Sequence, residues 1–156
     1  MFRRLALAAL APAALGAMFV ASPAEAAVVP VASLQADIAK LTNVQRKAKG
    51  CGAVAVNAKL TVAARQHSAW MAKTGKFSHT GSAGSSFVTR IKAAGYTKPA
   101  SENIAWGYRT ANEVVNAWMK SPGHRANILN CKAKTVGVGA VYSANGTGYF
   151  TQNFGY

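Results

Sequence analysis

The sequence has 156 residues, of which 18 are Lys or Arg and 4 are Asp or Glu, so its formal net charge is +14. Hydrophobic residues make up 51% of it, and the length allows one domain with one core and excludes more. The cationic residues are scattered, and no nucleic-acid-binding motif accompanies them. We therefore expect attachment to anionic surfaces and no specific recognition of nucleic acid.

The N-terminal segment has the pattern of an export signal. Met1 to Arg4 is basic, Leu5 to Val20 is apolar but short for a membrane span, and Ala24-Glu25-Ala26 supplies a small-x-small cleavage pattern. We predict a signal peptide over residues 1–26 and a single mature domain over 27–156. The mature protein is expected to be secreted, monomeric and without a transmembrane segment. It keeps 16 cationic and 3 anionic side chains, so an anionic envelope surface is an expected partner.

The mature chain opens with apolar residues at helical spacing. This pattern predicts a helix that Ser33 caps at its N-terminus and Gly50 ends. Its expected buried stripe is Leu34, Ile38, Leu41 and Val44, and its expected outer face includes Gln35, Lys40 and Arg46.

A second helix is predicted from Leu60 to Lys73, with His67 near its apolar stripe. We interpret His67 as a buried histidine with a hydrogen-bond partner and not as a ligand. A loop rich in Gly, Ser and Thr follows Phe77-Ser78-His79. We expect Phe77 to be anchored in the core and His79 to lie at the edge of a cleft.

Three further elements precede the C-terminal part. A short helix is predicted from Phe87 to Ala94, followed by a strand from Ser101 to Gly107 in which Glu102 and Ile104 share one face. Thr110 and Glu113 match the capping box of a third long helix, so Glu113 is interpreted as a capping residue and not as a site residue.

The segment from Trp118 to Asn130 is predicted to be a helix–helix corner. Ser121 is expected to cap the second helix, Pro122 suits its first position, and His124 falls in its first turn. By itself this pattern also fits a corner with an ordinary surface histidine.

In the C-terminal part, two runs of alternating residues have the pattern of the strands of a β-hairpin. The alternating residues from Val136 to Tyr142 and from Tyr149 to Phe154 are expected to pair around a turn at Asn145-Gly146. Helices with a small antiparallel sheet make an α+β domain. Cys51 and Cys131 are the only cysteines and lack metal-ligand spacing, so we predict a structural disulfide between them.

Few residues of the mature chain can carry chemistry. His79, Glu102 and His124 lie on separate elements, each at a loop or near the end of an element. If the fold brings them together, two imidazoles and a carboxylate would form an open zinc site. Without metal, the same three residues would form a hydrogen-bonded cluster that braces a cleft.

Several segments resemble the signatures of the CAP superfamily, which comprises cysteine-rich secretory proteins, antigen 5 and plant pathogenesis-related 1 proteins. The matching segments are Phe77-Ser78-His79, Ser101 to Ala105, Trp118 to Leu129, Val136 to Gly139 and Tyr149 to Gly155. The resemblance extends over residues 34–156 and is nearest to the short bacterial members.

The resemblance implies a three-layer α-β-α sandwich with a central cleft. In the family this cleft holds two His and two Glu, which bind zinc or another divalent ion in some members. His79, Glu102 and His124 match three of these positions, and Ser121 stands where the family has its second Glu. The missing carboxylate implies weak metal binding at most, with His79, His124 and Glu102 as the ligands.

The residues and the resemblance together suggest three functions. The preferred one is a secreted binding protein whose cleft, lined by His79, Glu102 and His124, engages lipid, sterol or envelope ligands. The first alternative is a metal-dependent, peptidase-like hydrolase with Glu102 as ligand or base, which no nucleophile motif supports. The second is a cationic envelope-associated or defensive protein without a defined site. We therefore assign no catalytic residue.

Overall fold

A computed structural model describes residues 29–156, so the predicted signal peptide and its cleavage site lie outside the described residues. The chain forms five helices and four strands within this range. In chain order they are α1 (Val31–Ala48), β1 (Ala55–Val56), α2 (Ala58–Thr74), α3 (Phe87–Ala93), β2 (Pro99–Trp106), α4 (Ala111–Lys120), α5 (Pro122–Ile128), β3 (Thr135–Tyr142) and β4 (Gly148–Gly155), with a 3₁₀ turn at Ser82–Gly84.

The four strands form one mixed sheet in the order β1-β3-β4-β2. The strands β3 and β4 form the predicted hairpin around the loop that contains Gly146, β2 pairs antiparallel with β4, and the two-residue β1 pairs parallel with β3. The strand β2 is therefore an edge of the sheet. Helices cover both faces, which confirms the α+β class and the α-β-α layering.

One face of the sheet is covered closely by α2. Gly137 and Gly139 of β3 lie against the backbone of α2 at Leu60 and Ala64, so a Cβ atom at either glycine would collide with that backbone. Ser68 of α2 donates a hydrogen bond to Thr151 of β4. The helix α3 packs beside α2 on this face.

The opposite face carries the main hydrophobic core. The helices α1, α4 and α5 pack there against alternate residues of β3 and β4. Its largest fully buried apolar side chains are Leu34, Ile38, Trp118, Ile128, Phe150 and Phe154.

The first helix differs from its prediction at both faces. It begins at Val31 after Pro30, without a side-chain cap, so the predicted cap by Ser33 is wrong. The buried face includes Leu34 and Ile38 but turns away from Val44, which is 53% exposed, because α1 follows the 3.6-residue period through Thr42. The predicted outer face is wrong for Gln35 and Arg46, which are both buried.

Arg46 is fully buried and has no acidic partner in the part of the chain that the structure describes. Its guanidinium donates four hydrogen bonds, of 2.8–3.1 Å, to the carbonyl oxygens of Gly52, Ile128, Asn130 and Ala133. These carbonyls lie near the two cysteines of the predicted disulfide: Gly52 is in the loop after α1, Ile128 ends α5, and Asn130 and Ala133 are in the loop after it. Burial lowers the pKa of Arg46 from its ordinary value.

The disulfide and the capping box are both present. Cys51 and Cys131 are bonded, with their Cα atoms 4.9 Å apart, and join the loop after α1 to the loop after α5. Thr110 Oγ1 accepts a hydrogen bond from the N–H of Glu113, and the Glu113 carboxylate accepts from the N–H groups of Thr110 and Arg109. These backbone donors hold the pKa of Glu113 below its usual range, which confirms its capping role.

Candidate functional site

Glu102 is the buried acid of the candidate site. It projects from the edge strand β2 toward α2 and α3, and its side chain is 1% exposed. The Arg90 guanidinium donates to both carboxylate oxygens, at 2.9 and 2.7 Å, and His79 Nδ1 lies 2.9 Å from Oε1. Glu102 thus accepts three hydrogen bonds through its carboxylate, and an arginine of the same chain balances its charge.

Arg90 also fixes the loop that carries His79. It projects from α3, which Ser86 caps by accepting from the N–H of Thr89. Its Nη1 atom donates to the carbonyl oxygens of His79 and Ser85, at 3.0 and 2.7 Å. One arginine therefore both fixes the position of His79 and balances the charge of Glu102.

The exposed imidazole of His79 has a defined tautomer. Because a carboxylate only accepts, Nδ1 carries the proton that is donated to Glu102, and in the neutral ring the lone pair is on Nε2. The side chain is 55% exposed. Nε2 is therefore available to a proton, a ligand or a metal ion.

His67 lies next to the cluster of Glu102, Arg90 and His79, and the structure confirms that it is a buried histidine with a hydrogen-bond partner. It is 1% exposed, its Nε2 donates to the Ser78 carbonyl oxygen at 2.9 Å, and its ring stacks on Trp70. Burial lowers the pKa of His67; the nearby carboxylate of Glu102 partly opposes this effect, and Arg90 adds to it. His67 is neutral at neutral pH and supports the loop from below.

The second histidine enters from the opposite side of β2. His124 lies in the first turn of α5, with Pro122 at the first helical position as predicted. The predicted cap by the Ser121 side chain is wrong, because only its backbone carbonyl takes part, accepting from the N–H of Arg125 at 2.8 Å. His124 is half-buried, and burial lowers its pKa, with a further lowering by the electrostatic effect of the nearby His79 ring. The two imidazoles thus lie near enough to interact electrostatically.

The outer edge of β2 is tied to α4 and α5. The Trp118 indole donates to the Ile104 carbonyl at 3.0 Å, and the Asn127 amide donates to the Glu102 carbonyl at 3.2 Å. In return, Asn103 of β2 donates to the His124 carbonyl at 3.2 Å. These bonds satisfy the carbonyls of the edge strand and set the position of α5 relative to Glu102.

A buried chain of uncharged side chains extends this connection across the sheet. Asn127 donates to Asn103, which donates to Gln152 of β4, and Gln152 donates to Thr42 of α1. Thr42 in turn donates to the Ile38 carbonyl. The backbone of His124 is therefore fixed through hydrogen bonds to three other elements.

A cleft of about 270 Å³ lies along this edge. Its walls are mainly aromatic and aliphatic, and His124 and Ser121 supply side-chain polar atoms. The lining comprises Phe77, Ile104, Ala105, Trp106, Tyr108, Ala117, Trp118, Ser121 and His124. His79 and Glu102 are not among the lining residues; they lie beside the cleft, close to Phe77 and Ile104.

Two aromatic side chains at the mouth of this cleft are exposed. Phe77 is 45% exposed and Trp106 is 53% exposed, and their rings tilt against each other with centroids 6.1 Å apart. The expectation that Phe77 is anchored in the core is wrong. Because α2 ends at Thr74 and Gly75 turns the chain, Phe77 is directed to the cleft mouth.

The donor set fits a divalent metal only in part. Nε2 of His79 and the imidazole of His124 are suitable nitrogen donors. Both oxygens of Glu102 are occupied by Arg90 and one also by His79, so this carboxylate would orient His79 and not coordinate an ion. Within residues 29–156, no group of three or more His, Cys, Asp or Glu side chains is arranged to hold a metal ion. Weak metal binding by the two histidines stays a prediction.

The sequence did not predict that Arg90 binds Glu102, or that Phe77 and Trp106 are exposed at the mouth of the cleft. Arg90 occupies an ordinary position on a seven-residue helix, and no pattern indicates that it turns inward to a carboxylate 12 residues later. Asn103 and Asn127 stood inside the recognised segments, but their hydrogen bonds depend on contacts between distant elements.

Known protein sequences place the chain in one family. Residues 39–154 match the sequence model of the cysteine-rich secretory protein family (CAP). YkwD of Bacillus subtilis is 37% identical over 125 residues, covering 80% of this chain and 48% of YkwD. The B. subtilis membrane protein YlbC is 32% identical over 118 residues, covering 75% of this chain and 33% of YlbC. The chain thus spans half or less of the length of these relatives.

Solved structures show the same architecture. An extracellular SCP-domain protein from Bacillus anthracis matches with a TM-score of 0.74 and 28% identity, over 80% of this chain and 41% of that protein. An outer surface protein of Borrelia burgdorferi matches with a TM-score of 0.69 and 22% identity, over 76% and 88% of the two chains. The latter likeness bears on the fold alone. Among the helices of residues 29–156, none has the length and apolarity to span a membrane.

Proposed function

The chain belongs to the cysteine-rich secretory protein (CAP) family, and from this premise we propose that it is a secreted binding protein whose cleft holds a neutral amphiphile, a sterol or a lipid. The observation that carries the proposal is the pair of exposed aromatic rings, Phe77 and Trp106, at the mouth of an apolar cleft. Exposed aromatic residues around a concave site are typical of binding surfaces.

The size and polarity of the cleft indicate the kind of ligand. A volume of about 270 Å³ is just below the range of about 300–1,000 Å³ for small-molecule sites, so the cleft encloses part of a larger ligand. The aromatic walls suit the apolar part. The His124 imidazole and the Ser121 hydroxyl suit a hydroxyl or ester at its polar end.

Charge has little part in this recognition, because the acid beside the cleft is neutralised within the protein. Arg90 balances Glu102, and burial lowers the pKa of His124, which is therefore uncharged at neutral pH. The cationic surface of the protein would instead mediate attachment to an anionic envelope. Secretion is supported by the disulfide and by the likeness to an extracellular B. anthracis protein.

The hydrolase alternative ranks lower for a structural reason. A general base must be free to accept a proton, whereas the Glu102 carboxylate already accepts three hydrogen bonds and lies beside a guanidinium. A divalent ion bound by His79 Nε2 and His124 would act as a Lewis acid. His79 and His124 are the residues expected to hold it, and Glu102 would orient the His79 ring.

Ligand titration tests the proposal. We expect saturable binding of a short-chain phosphatidylcholine, below its micelle-forming concentration, or of cholesterol delivered from cyclodextrin, followed by tryptophan fluorescence and equilibrium dialysis. Trp106→Ala should weaken binding about 30-fold, because it removes most of an aromatic contact surface. Tyr156→Ala, at a 49% exposed tyrosine outside the cleft lining, is the matched control. Equal affinities for both variants would contradict the proposal.

Metal analysis tests the lower-ranked alternative. The protein purified without chelator is expected to hold little zinc, and added zinc is expected to bind weakly and to be lost in both His79→Ala and His124→Ala. Tight stoichiometric zinc that disappears in both variants, together with hydrolysis of a peptide, would favour the enzyme instead.

A further inference from the structure

The exposed cations are unevenly distributed over the folded chain. Of the 16 Lys and Arg residues in the described range, Arg46 and Arg90 are buried or nearly so. Seven of the others, all exposed lysines, gather at one end of the sheet. We call this group the lysine face: Lys47, Lys49, Lys59, Lys92, Lys98, Lys132 and Lys134.

The connectivity puts these lysines together. The helix α1 ends where β3 begins, because Arg46 binds the Ala133 carbonyl, so Lys47 and Lys49 lie beside the 132–134 segment. The Lys134 N–H donates to the Gly155 carbonyl, and the Lys98 carbonyl accepts from Tyr156, which brings these two lysines to the same end.

The other side of the sheet contributes the remaining members. The helix α2 begins at this end, since the Asn57 N–H donates to the Val136 carbonyl, and the Lys59 side chain passes Gly95 just after α3. Lys92 lies in the last turn of α3. The lysine face therefore extends across all three layers of the domain.

The acids lie elsewhere. Asp37 and the start of α4, where Glu113 forms its cap, border the same surface cavity near the beginning of α1. Glu102 is buried and balanced by Arg90. Of the three acidic side chains in residues 29–156, none neutralises the lysine face, so its seven charges act together.

From this arrangement we propose that the lysine face docks the protein onto an anionic lipid bilayer. Flexible lysines spread over one end recognise a charged surface by its field, and the exposed apolar side chain of Val56, on the adjoining edge strand, suits the boundary of a bilayer. The proposal rests on the proposed attachment to an anionic envelope and names the surface responsible.

Docking in this manner would direct the cleft mouth away from the bilayer. Trp106 pairs with Tyr149, whereas Pro99 pairs with Gly155 at the lysine end. Trp106 lies seven residue steps along β2 from Pro99, a distance of roughly 23 Å. The cleft would therefore meet ligands from the surrounding medium while the opposite end is attached.

Vesicle co-sedimentation tests the proposal with matched triple variants. Phosphatidylcholine vesicles with and without phosphatidylglycerol are the probe. We expect salt-sensitive binding to the anionic vesicles only, weakened about 100-fold by the combined substitutions Lys49→Gln, Lys98→Gln and Lys134→Gln, at about fivefold per lysine. The control combines Lys40→Gln, Lys73→Gln and Lys76→Gln, which removes the same amount of charge outside the lysine face. It should weaken binding to the anionic vesicles less than about tenfold.

Several outcomes would overturn the proposal. These are equal losses in the two triple variants, absence of binding to the anionic vesicles, and binding to a glycerol-phosphate polymer without binding to the vesicles. Unfolding midpoints verify that both triple variants fold, and the single variants carry the comparison if one triple variant is unstable. Vesicle binding and the titration of the cleft with short-chain phosphatidylcholine are measured separately on each variant, so failure of the lysine face and failure of the cleft proposal are distinguishable.

Discussion

Two inward-turned arginines occupy opposite environments in this molecule. Arg46 donates to four backbone carbonyls without an acidic partner, and it holds the loops around the disulfide. Arg90 donates to a buried carboxylate and to the loop of His79. The first arginine stabilises the fold. The second also sets the electrostatics beside the cleft, so burial of a cation does not by itself indicate a functional site.

The largest expected effect is the loss of Arg46. Arg46→Ala removes four hydrogen bonds to carbonyls that the fold partly buries, of which the Asn130 carbonyl keeps the N–H of Ala133 as a donor. We expect the free energy of unfolding to fall by about 4 kcal/mol. Urea unfolding measures this change. Lys47→Ala, at the exposed neighbour, is the control and should cost less than about 0.5 kcal/mol. A loss below about 1 kcal/mol for Arg46→Ala would show that these carbonyls find other donors.

The disulfide secures the same region by a covalent route. It closes a loop with a sequence separation of 80, and its removal in the double variant Cys51→Ser, Cys131→Ser should cost about 3.5 kcal/mol. The effect is measured by urea unfolding of the protein with and without reductant. The double variant is the control, because reductant should not change its unfolding. An unfolding midpoint of the native protein that is insensitive to reductant would contradict the structural role of the bond.

Removal of Arg90 should depend on its carboxylate partner. Arg90→Gln leaves the buried Glu102 uncompensated and should cost about 3 kcal/mol, whereas the double variant with Glu102→Gln should recover a large part of that loss. A double-mutant cycle of unfolding free energies measures the coupling. Additive losses would mean that Arg90 acts mainly through the carbonyls of His79 and Ser85.

The smallest expected effect concerns pH. The pKa of His67 is lowered in the folded state, so the unfolded chain binds its proton first as the pH falls through about 6.5. The free energy of unfolding should therefore decrease as the pH is lowered below about 6.5, and His67 should not affect it at higher pH. His67→Gln can keep the hydrogen bond to Ser78, and melting curves between pH 7 and about pH 5 should show a weaker dependence in this variant. An unchanged dependence would assign the effect to other groups, such as His124.

Local patterns predicted most of the fold. The second helix, the capping box, the hairpin and the disulfide each depend on a short spacing or on a simple count, and the structure has all four. The prediction of the outer face of α1 was wrong because Arg46 and Gln35 form hydrogen bonds with distant segments of the chain.

The site was less accessible from sequence for the same reason. The motif segments indicated His79, Glu102 and His124, and the structure joins the first two directly by a hydrogen bond. The balancing charge of Arg90 and the outward position of Phe77 follow from how α2, α3 and β2 pack. No residue spacing encodes that packing.

The most direct test of ligand binding in the cleft is the set of indole N–H signals in an NMR titration with short-chain phosphatidylcholine. The chain has three tryptophans: Trp106 and Trp118 line the cleft, and Trp70 stacks on His67 beyond the lining residues. We predict that the signals of Trp106 and Trp118 shift and saturate together while that of Trp70 stays in place. Saturable binding that leaves Trp106 and Trp118 unshifted would contradict the account.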